Sequence, residues 1–168
     1  MPIVTTIEGR IAQVAIDRPE KRNTLSSELC KDLAREFLEL NDDTRVRSIV
    51  LCGHNNVFCA GLDIEEQLAE NTPIFNEFQK VIDALDALSK PVVAAVSGPA
   101  VSPGAAMLYH CDLVFAGEHA LFSMPGLALG QTPRYGVSLL AVKSGGYKLA
   151  AQKLLLSEPI SAAEAVAM

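Results

Sequence analysis

The sequence predicts an α/β fold built from repeated units of two strands and one helix. Two short β-rich runs near the start flank the pair Glu8-Gly9, which is typical of a hairpin turn. Apolar residues then recur at helical spacing over residues 26–40 and again over 73–88. The apolar runs 48–52 and 91–96 have the length of strands. We therefore expect the order strand, strand, helix to repeat along the chain.

The first half of the chain carries recognisable start signals for its elements. We expect strands over 3–7 and 10–16, then a helix that begins with Ser26 or Ser27 as its N-cap. The run 48–52 is apolar without alternation, which predicts a strand buried on both faces. The second helix has Thr72 as N-cap and Pro73 at its first position.

The second half continues the same pattern. We expect a strand over 91–96, a short helix over 102–110, and strands over 112–116 and 121–123. Helical segments follow Gly136 and break at 144–146. A last helix begins at Ser161, with Glu164 as its capping-box partner. This helix lacks a stop signal, so we expect the chain to end within an element.

Composition excludes several classes of function. The formal charge is −6, and the only basic pair of note is Lys21-Arg22, which argues against a nucleic-acid partner. The apolar stretch 90–101 is shorter than the ~20 residues that cross a bilayer. The four cysteines form no metal-binding spacing, so we expect buried thiols and no metal site. These observations predict a soluble, cytoplasmic protein whose residues 1–168 form one domain.

Three segments resemble those of the crotonase superfamily, also called the enoyl-CoA hydratase/isomerase family. Residues 17–25 (DRPEKRNTL) are similar to its R-P-x-x-x-N-A-L segment, and residues 58–64 (FCAGLDI) to its F-x-A-G-x-D-[IL] loop. Residues 90–100 (KPVVAAVSGPA) are similar to its K-P-V-I-A-A-V-N-G-x-A segment. The variant Gly98-Pro99-Ala100 and residues 129–133 are closest to the Δ3,Δ2-enoyl-CoA isomerase branch.

The resemblance implies a spiral of strand-strand-helix units and an acyl-CoA substrate, with coenzyme A as part of the substrate and no permanently bound cofactor. It also implies a homo-oligomer, a trimer or hexamer. Members of the family usually continue into further helices, so the chain is expected to be a truncated N-terminal spiral domain. The substrate-binding residues that the resemblance implies are Lys21, Arg22, Asn23, Leu25, Ala60, Gly61, Leu62, Asp63, Ile64, Ser102, Pro103, Gly104 and Gly126.

The family's reactions pass through a thioester enolate, whose oxygen is usually stabilised by two backbone N–H groups. By resemblance, Ala60 supplies the first. The second comes from the position of Pro103, which has no N–H. Either the Gly104 amide replaces that donor at the start of the short helix, or the second donor is lost.

The family's carboxylates are also replaced. The two glutamate positions of a hydratase are occupied by Ala106 and Gly126, and the single carboxylate position of the isomerase branch by Arg134. Arginine stays protonated and cannot act as a base. The resemblance therefore predicts an enoyl-CoA hydratase or isomerase whose usual acid and base are missing.

Two alternatives remain open at this point. Arg134 and Tyr135 are tentative catalytic residues that would bind a second carboxylate and help to release carbon dioxide from a carboxylated acyl-CoA. A non-catalytic acyl-CoA-binding or assembly module is the other alternative. For Lys21 and Arg22 a solvated loop explains the charges nearly as well as contacts with coenzyme A phosphates, and for Arg134 a solvated loop is the simpler explanation.

Overall fold

The computed structural model describes residues 2–69 and 72–168, in which strands and helices alternate as the sequence predicts. Short 3-10 turns at Pro19–Lys21 and Leu127–Leu129 lie between them. In chain order the elements are β1 (Ile3–Glu8), β2 (Ile11–Ile16), α1 (Ser27–Asp42), β3 (Ser48–Gly53), α2 (Ile64–Gln67), α3 (Ile74–Asp86), β4 (Val92–Val96), β5 (Ala100–Val101), α4 (Pro103–Leu108), β6 (Leu113–Ala116), β7 (Leu121–Ser123), α5 (Val137–Leu155), β8 (Ile160–Ser161) and α6 (Ala162–Val166).

Two sheets organise these elements. The larger sheet has the order β1-β2-β3-β4-β6, in which β1 and β2 are antiparallel and the other neighbours are parallel. Parallel neighbours need crossover connections, and helices provide them here. The smaller sheet has the order β5-β7-β8. The hairpin is confirmed, although Glu8 pairs with Ile11 and the turn is therefore Gly9-Arg10, one residue later than predicted.

Helices α1 and α3 pack against the larger sheet and form the core with it. Leu33 and Phe37 of α1, Phe78 of α3 and Leu51 of β3 are fully buried in one cluster. Burying a side chain of this size stabilises the fold by roughly 1.5–3 kcal/mol. The predicted N-cap is confirmed, because the Ser26 hydroxyl accepts a hydrogen bond from the Leu29 N–H (3.2 Å). The periodic positions of both helices therefore face the core as predicted.

The prediction that β3 is buried on both faces was wrong. Ile49 and Leu51 are fully buried, but Ser48, Val50 and Cys52 are only half-buried. The reason is that α1 and α3 join only the alternate residues Ile49 and Leu51 in the core cluster. The unbroken apolar run therefore marks a strand with one fully buried face.

The C-terminal elements follow the predicted signals. Helix α5 breaks at Gly146, whose φ is 76°. At the start of α6, Ser161 and Glu164 form the predicted capping box. The buried Lys153 of α5 donates to Glu164 (2.7 Å) and to the Pro159 carbonyl (2.9 Å), which ties the end of α5 to α6. Within the described residues, no helix has the length and apolar character to cross a membrane.

Candidate active site

The three motif segments, which are far apart in sequence, meet at one place in the structure. Leu25 of the first segment and Leu62 of the second form an isolated parallel bridge. Cys59 of the second and Ala100 of the third form another. The loop over residues 58–63, called the motif loop below, therefore lies between the other two segments.

Asn23 is the buried centre of this junction. Its side-chain oxygen accepts from the Arg18 N–H (2.8 Å), and its side-chain amide donates to the carbonyls of His54 (3.0 Å) and Val57 (2.7 Å). The residue is fully buried. Asn23 was expected among the substrate-binding residues, but its side chain already uses these groups to join its own segment, 17–25, to the loop after β3. A contact between this side chain and a ligand is therefore not supported.

Asp63 and Leu25 also have structural contacts at positions expected to bind substrate. The Asp63 carboxylate accepts from the Arg18 guanidinium (3.0 Å) and from the Glu65 N–H (3.2 Å), which makes it the N-cap of α2. The fully buried Leu25 exchanges backbone hydrogen bonds with Gly61 and Asp63, both at 2.8 Å. Ile64, the last residue of this group, lies exposed on α2. The motif loop is thus held firmly against the first segment.

The basic pair lies at the outer edge of the same junction. The Lys21 ammonium is 3.1 Å from the Glu65 carboxylate, and both side chains are substantially exposed. Arg22 is exposed, and its backbone is left-handed with φ of 52°. Two cations therefore stand on the surface beside the motif loop, but one of them already has a partner.

The amide of Ala60 does not have the geometry that we expected of an oxyanion donor. Its N–H donates to the Arg22 carbonyl oxygen (3.2 Å) and is therefore already used. By contrast, the Leu62 N–H has no acceptor among the described residues, and Leu62 lines a cavity. Gly61, between them, has φ of 106°, which favours glycine and turns the chain here. The free amide of the motif loop is that of Leu62.

Residues 102–104 offer no backbone N–H to the described cavity wall as the second expected donor. The Ser102 N–H donates to the Ser123 carbonyl (2.6 Å), and Pro103 begins α4 without an N–H. Gly104 does not line the cavity. A Cβ on Gly104 would lie 2.6 Å from the Cys59 carbonyl oxygen, so the glycine is needed for close packing with the motif loop.

The cavity of about 60 Å³ lies beside Leu62, Ser102 and Pro103. Ala106 and Gly126, at the positions of the family glutamates, form part of its wall. Arg134 and Tyr135 are the only titratable residues that line it, within the part of the chain that the structure describes. The described part of the cavity wall therefore contains a cation and a phenol, but no carboxylate.

Arg134 and Tyr135 occupy a tight turn between the 3-10 turn at Leu127–Leu129 and α5. The Arg134 guanidinium lies over the Phe75 ring at 4.8 Å from its centre, a cation–π contact. The Tyr135 ring packs edge-to-face on Phe78 (4.7 Å), and its O–H donates weakly to the Phe75 carbonyl (3.5 Å). Burial raises the pKa of the Tyr135 hydroxyl to about 12, although the nearby Arg134 opposes the shift. Tyr135 is thus a neutral hydrogen-bond donor at neutral pH.

His110 supports this turn, a contact that the sequence did not predict. Its Nε2 is 2.9 Å from the Tyr135 carbonyl oxygen and its Nδ1 is 2.7 Å from the Asp86 carboxylate. His110 is the last residue of the helix that the sequence predicts over 102–110. Nothing in the sequence indicated a contact with the Tyr135 carbonyl, because α4 and this turn are joined only by the fold.

The four cysteines have thiols that are free and partly or fully buried. All four are free, and Cys30 and Cys59 are buried as expected, while Cys52 and Cys111 are half-buried. Burial raises the pKa of the Cys59 thiol to about 12, so it stays protonated beside the motif loop. Over residues 2–69 and 72–168, no three His, Cys, Asp or Glu side chains group as metal ligands would.

Comparison with known proteins gives consistent matches. Residues 6–168 match the family described as enoyl-CoA hydratase/isomerase. The chain is 33% identical to the short-chain-enoyl-CoA hydratase of Clostridium acetobutylicum, with 98% of this chain and 65% of that protein covered. It is 32% identical to the 2,3-dehydroadipyl-CoA hydratase of Escherichia coli strain K12, with 97% of this chain and 65% of that protein covered. The chain thus spans about 65% of the length of these curated relatives.

Solved structures give the same fold. The enoyl-CoA hydratase/isomerase from Pseudoalteromonas atlantica T6c has a TM-score of 0.91 at 30% identity, with 99% of this chain and 66% of that chain covered. Pseudomonas aeruginosa OdaA has a TM-score of 0.91 at 35% identity, with coverages of 99% and 68%. The predicted crotonase-like α/β fold is confirmed. The isomerase branch is not distinguished, since both curated relatives above are named as hydratases.

Proposed function

The chain belongs to the enoyl-CoA hydratase/isomerase family, and on that premise we propose that it binds acyl-CoA thioesters in the cavity beside the motif loop. The observation that carries the proposal is that the N–H of Leu62, a residue of the cavity wall, has no acceptor within 2–69 and 72–168, while the Ala60 N–H donates to the Arg22 carbonyl. A free amide at this place would donate to the thioester oxygen. Leu62 therefore replaces Ala60 as the proposed first oxyanion donor.

The proposed reaction is hydration or isomerisation of an enoyl thioester through its enolate. Negative charge on the thioester oxygen is stabilised by donors that are already oriented, and one such donor is worth about 10²–10³-fold in rate. Among residues 2–69 and 72–168 no carboxylate lines the cavity to move the proton, a step that typically contributes another 10²–10⁴-fold. We propose that solvent carries the proton and that turnover is therefore slow.

Binding and turnover are tested separately. Calorimetric titration with butyryl-CoA measures binding of a saturated thioester that cannot react. Incubation with crotonyl-CoA and with a 3-enoyl-CoA then measures hydration and double-bond migration. Binding of butyryl-CoA with slow conversion of either enoyl thioester is expected. A protein that binds no acyl-CoA at all would contradict the proposal.

A second candidate is decarboxylation of a carboxylated acyl-CoA. The supporting observation is that Arg134 and Tyr135 are the titratable groups of the described cavity wall. Arg134 would pair with the substrate carboxylate, and Tyr135 would orient it. The bond between the α-carbon and the carboxylate breaks, and carbon dioxide leaves. The electron pair of the broken bond stays with the α-carbon and forms the thioester enolate, which solvent then protonates at the α-carbon. This path needs no general base at carbon.

The measurement for the second candidate is carbon dioxide release from malonyl-CoA and methylmalonyl-CoA. Arg134→Gln should abolish release while leaving the affinity for butyryl-CoA within about threefold, since butyryl-CoA has no carboxylate for Arg134 to bind. No release by the wild-type protein would exclude this reaction. If butyryl-CoA binds but neither chemistry is found, the non-catalytic acyl-CoA-binding module is the remaining function.

Several further expectations accompany the proposal. We propose that residues 1–168 act as one domain, that the Lys21-Arg22 pair contacts coenzyme A phosphates, and that the protein forms a homo-oligomer in the cytoplasm. Gel filtration with light scattering measures the oligomer, and cell fractionation measures the location. For the pair, Lys21→Ala with Arg22→Ala should weaken binding of acyl-CoA more than binding of an acyl-pantetheine that lacks the nucleotide phosphates.

A further inference from the structure

Ser102 has an unusual backbone conformation at the edge of the proposed site. It lies between β5 and α4 with φ of 53° and ψ of −118°. A residue with a side chain rarely adopts this conformation, which costs of order 1–3 kcal/mol and persists only when its surroundings hold it. The surroundings here are the Ser123 carbonyl, which accepts from its N–H, and Pro103, which follows it.

The strained backbone directs the Ser102 side chain toward the motif loop. A Cβ built on Gly61 would lie 3.6 Å from the Ser102 Cβ, so the two residues face each other closely. Ser102 and Leu62, the residue after Gly61, both line the cavity. Ser102 and Leu62 therefore lie on the wall of the same cavity, next to Gly61.

The Ser102 hydroxyl has no other task that the structure shows. It makes no cap bond to α4, and it is absent from the serine hydroxyl hydrogen bonds found within 2–69 and 72–168, which belong to Ser26, Ser89, Ser144 and Ser161. The backbone at the same place offers little, because the Ser102 N–H is used and Pro103 has none. Gly104 does not line the cavity, so within the described residues the Ser102 side chain offers a donor where the backbone of 102–104 does not.

We propose that the Ser102 hydroxyl is the second oxyanion donor of the site and acts together with the Leu62 N–H. This inference rests on the proposed binding of acyl-CoA thioesters. When the α-proton leaves to solvent, the electron pair of the C–H bond forms a double bond between the α-carbon and the carbonyl carbon. The π pair of the carbonyl then moves onto the thioester oxygen, to which the hydroxyl donates. Hydrogen bonds from a hydroxyl to an anionic oxygen are short and about twice as strong as neutral ones. The hydroxyl therefore stabilises the enolate more than the ground state.

Ser102 acts here as a donor and not as a nucleophile. A serine hydroxyl attacks a thioester only when a neighbouring base removes its proton. The titratable residues of the described cavity wall are Arg134 and Tyr135. Arginine stays protonated, and Tyr135 keeps its proton because burial raises its pKa to about 12.

The experiment uses two thioesters. Acetoacetyl-CoA forms an enolate that is measured by its near-ultraviolet absorbance, and butyryl-CoA reports binding of a thioester that stays in its ground state. Ser102→Ala removes the hydroxyl. It should lower the enolisation constant of bound acetoacetyl-CoA at least tenfold and leave the affinity for butyryl-CoA within about threefold.

Two further variants complete the experiment: one separates the effect of the Ser102 hydroxyl from that of the backbone strain, and one is a control. Ser102→Gly removes the hydroxyl and also relieves the backbone strain. A variant that is more stable than the wild type but loses as much enolisation as Ser102→Ala would support the inference. Ser138→Ala removes an exposed hydroxyl at the start of α5, outside the cavity, and should change neither quantity. Thermal unfolding of each variant shows that it is folded.

Failure of the proposed function and failure of the Ser102 inference give different results. If the wild-type protein binds no butyryl-CoA, the proposed function falls and this inference falls with it. If butyryl-CoA binds normally but Ser102→Ala enolises acetoacetyl-CoA as the wild type does, this inference alone is overturned. An equal loss of butyryl-CoA affinity and enolisation would also overturn it, because Ser102 would then support the shape of the cavity and not the enolate.

Discussion

The His110 side chain and the Tyr135 backbone are joined by a contact of 2.9 Å between the imidazole Nε2 and the carbonyl oxygen. The imidazole is almost fully buried, and its other nitrogen faces the Asp86 carboxylate. Tyr135 has φ of 57°, a conformation that is strained for a bulky residue. Its ring, its hydroxyl and its carbonyl each have a partner, so the turn that presents Arg134 to the cavity is held from three sides.

A matched pair of variants tests this support. His110→Asn places its amide near the Nδ1 position and loses the donor to Tyr135, whereas His110→Gln reaches the Nε2 position. We expect His110→Asn to lower the free energy of unfolding by about 1–3 kcal/mol, since a buried carbonyl loses its partner, and His110→Gln to lose less than half of that. Urea denaturation and the backbone NMR signals of Tyr135 measure the two effects. Equal losses in both variants would contradict a specific role for the Tyr135 contact.

Asn23→Ala tests whether the first motif segment is structural. Removing this side chain leaves the Arg18 N–H and the carbonyls of His54 and Val57 without their partner. We expect the free energy of unfolding to fall by about 2–4 kcal/mol. Asn76→Ala, at an exposed position of α3, should change it by less than about 0.5 kcal/mol. A loss of acyl-CoA affinity in Asn23→Ala without a loss of stability would instead favour a direct contact with the ligand.

Ser102→Gly tests the backbone strain without any ligand. Glycine adopts the observed φ and ψ readily, so the strain is relieved, although the unfolded chain gains entropy. We expect a net gain of about 1 kcal/mol in the free energy of unfolding. Ser102→Ala keeps the strain and should stay within about 0.5 kcal/mol of the wild type. Chemical denaturation measures both, and an unstable Ser102→Gly would show that the conformation is not costly.

Pro103→Ala restores an N–H at the first position of α4. If that position can donate to the thioester oxygen, the enolisation constant of bound acetoacetyl-CoA should rise about tenfold or more. Pro73→Ala is the matched control, because Pro73 occupies the position just before α3 and lies outside the cavity wall. A rise in both variants would point to a general change in the helices, and no rise in either would mean that the Pro103 position does not face the oxygen.

Glu164 gives the chain a pH-dependent contribution to stability. Its hydrogen bond with Lys153 is the main cause that lowers the pKa from 4.5 to about 2. Because the pKa is lower in the folded state, the carboxylate stabilises the fold above about pH 4.5, and this contribution is lost as the pH falls toward 2. We expect wild-type protein to be more stable than Glu164→Gln at neutral pH, with the difference closing over that interval. Urea denaturation at several pH values measures it, and a difference independent of pH would contradict this assignment.

Much of the fold was predictable because its signals are local. The repeat of apolar residues in α1 and α3, the Ser26 cap and the capping box of Ser161 all act within a few residues of chain. The break in α5 at Gly146 is of the same kind. The missing glutamates at Ala106 and Gly126 were also readable, since a side chain that is absent from the sequence cannot be restored by the fold.

The site itself depended on tertiary structure. Sequence alone determined the family motifs, the absence of carboxylates at their usual positions, and the proline that removes a backbone donor. Only the fold decided that the Ala60 amide donates to Arg22, that the Leu62 amide has no acceptor among the described residues, and that the Ser102 side chain lies next to Gly61 of the motif loop. The physical reason is that residue type and spacing determine which donor groups exist, but not where they point. The orientation of an N–H or O–H is set by packing between segments that are distant in sequence.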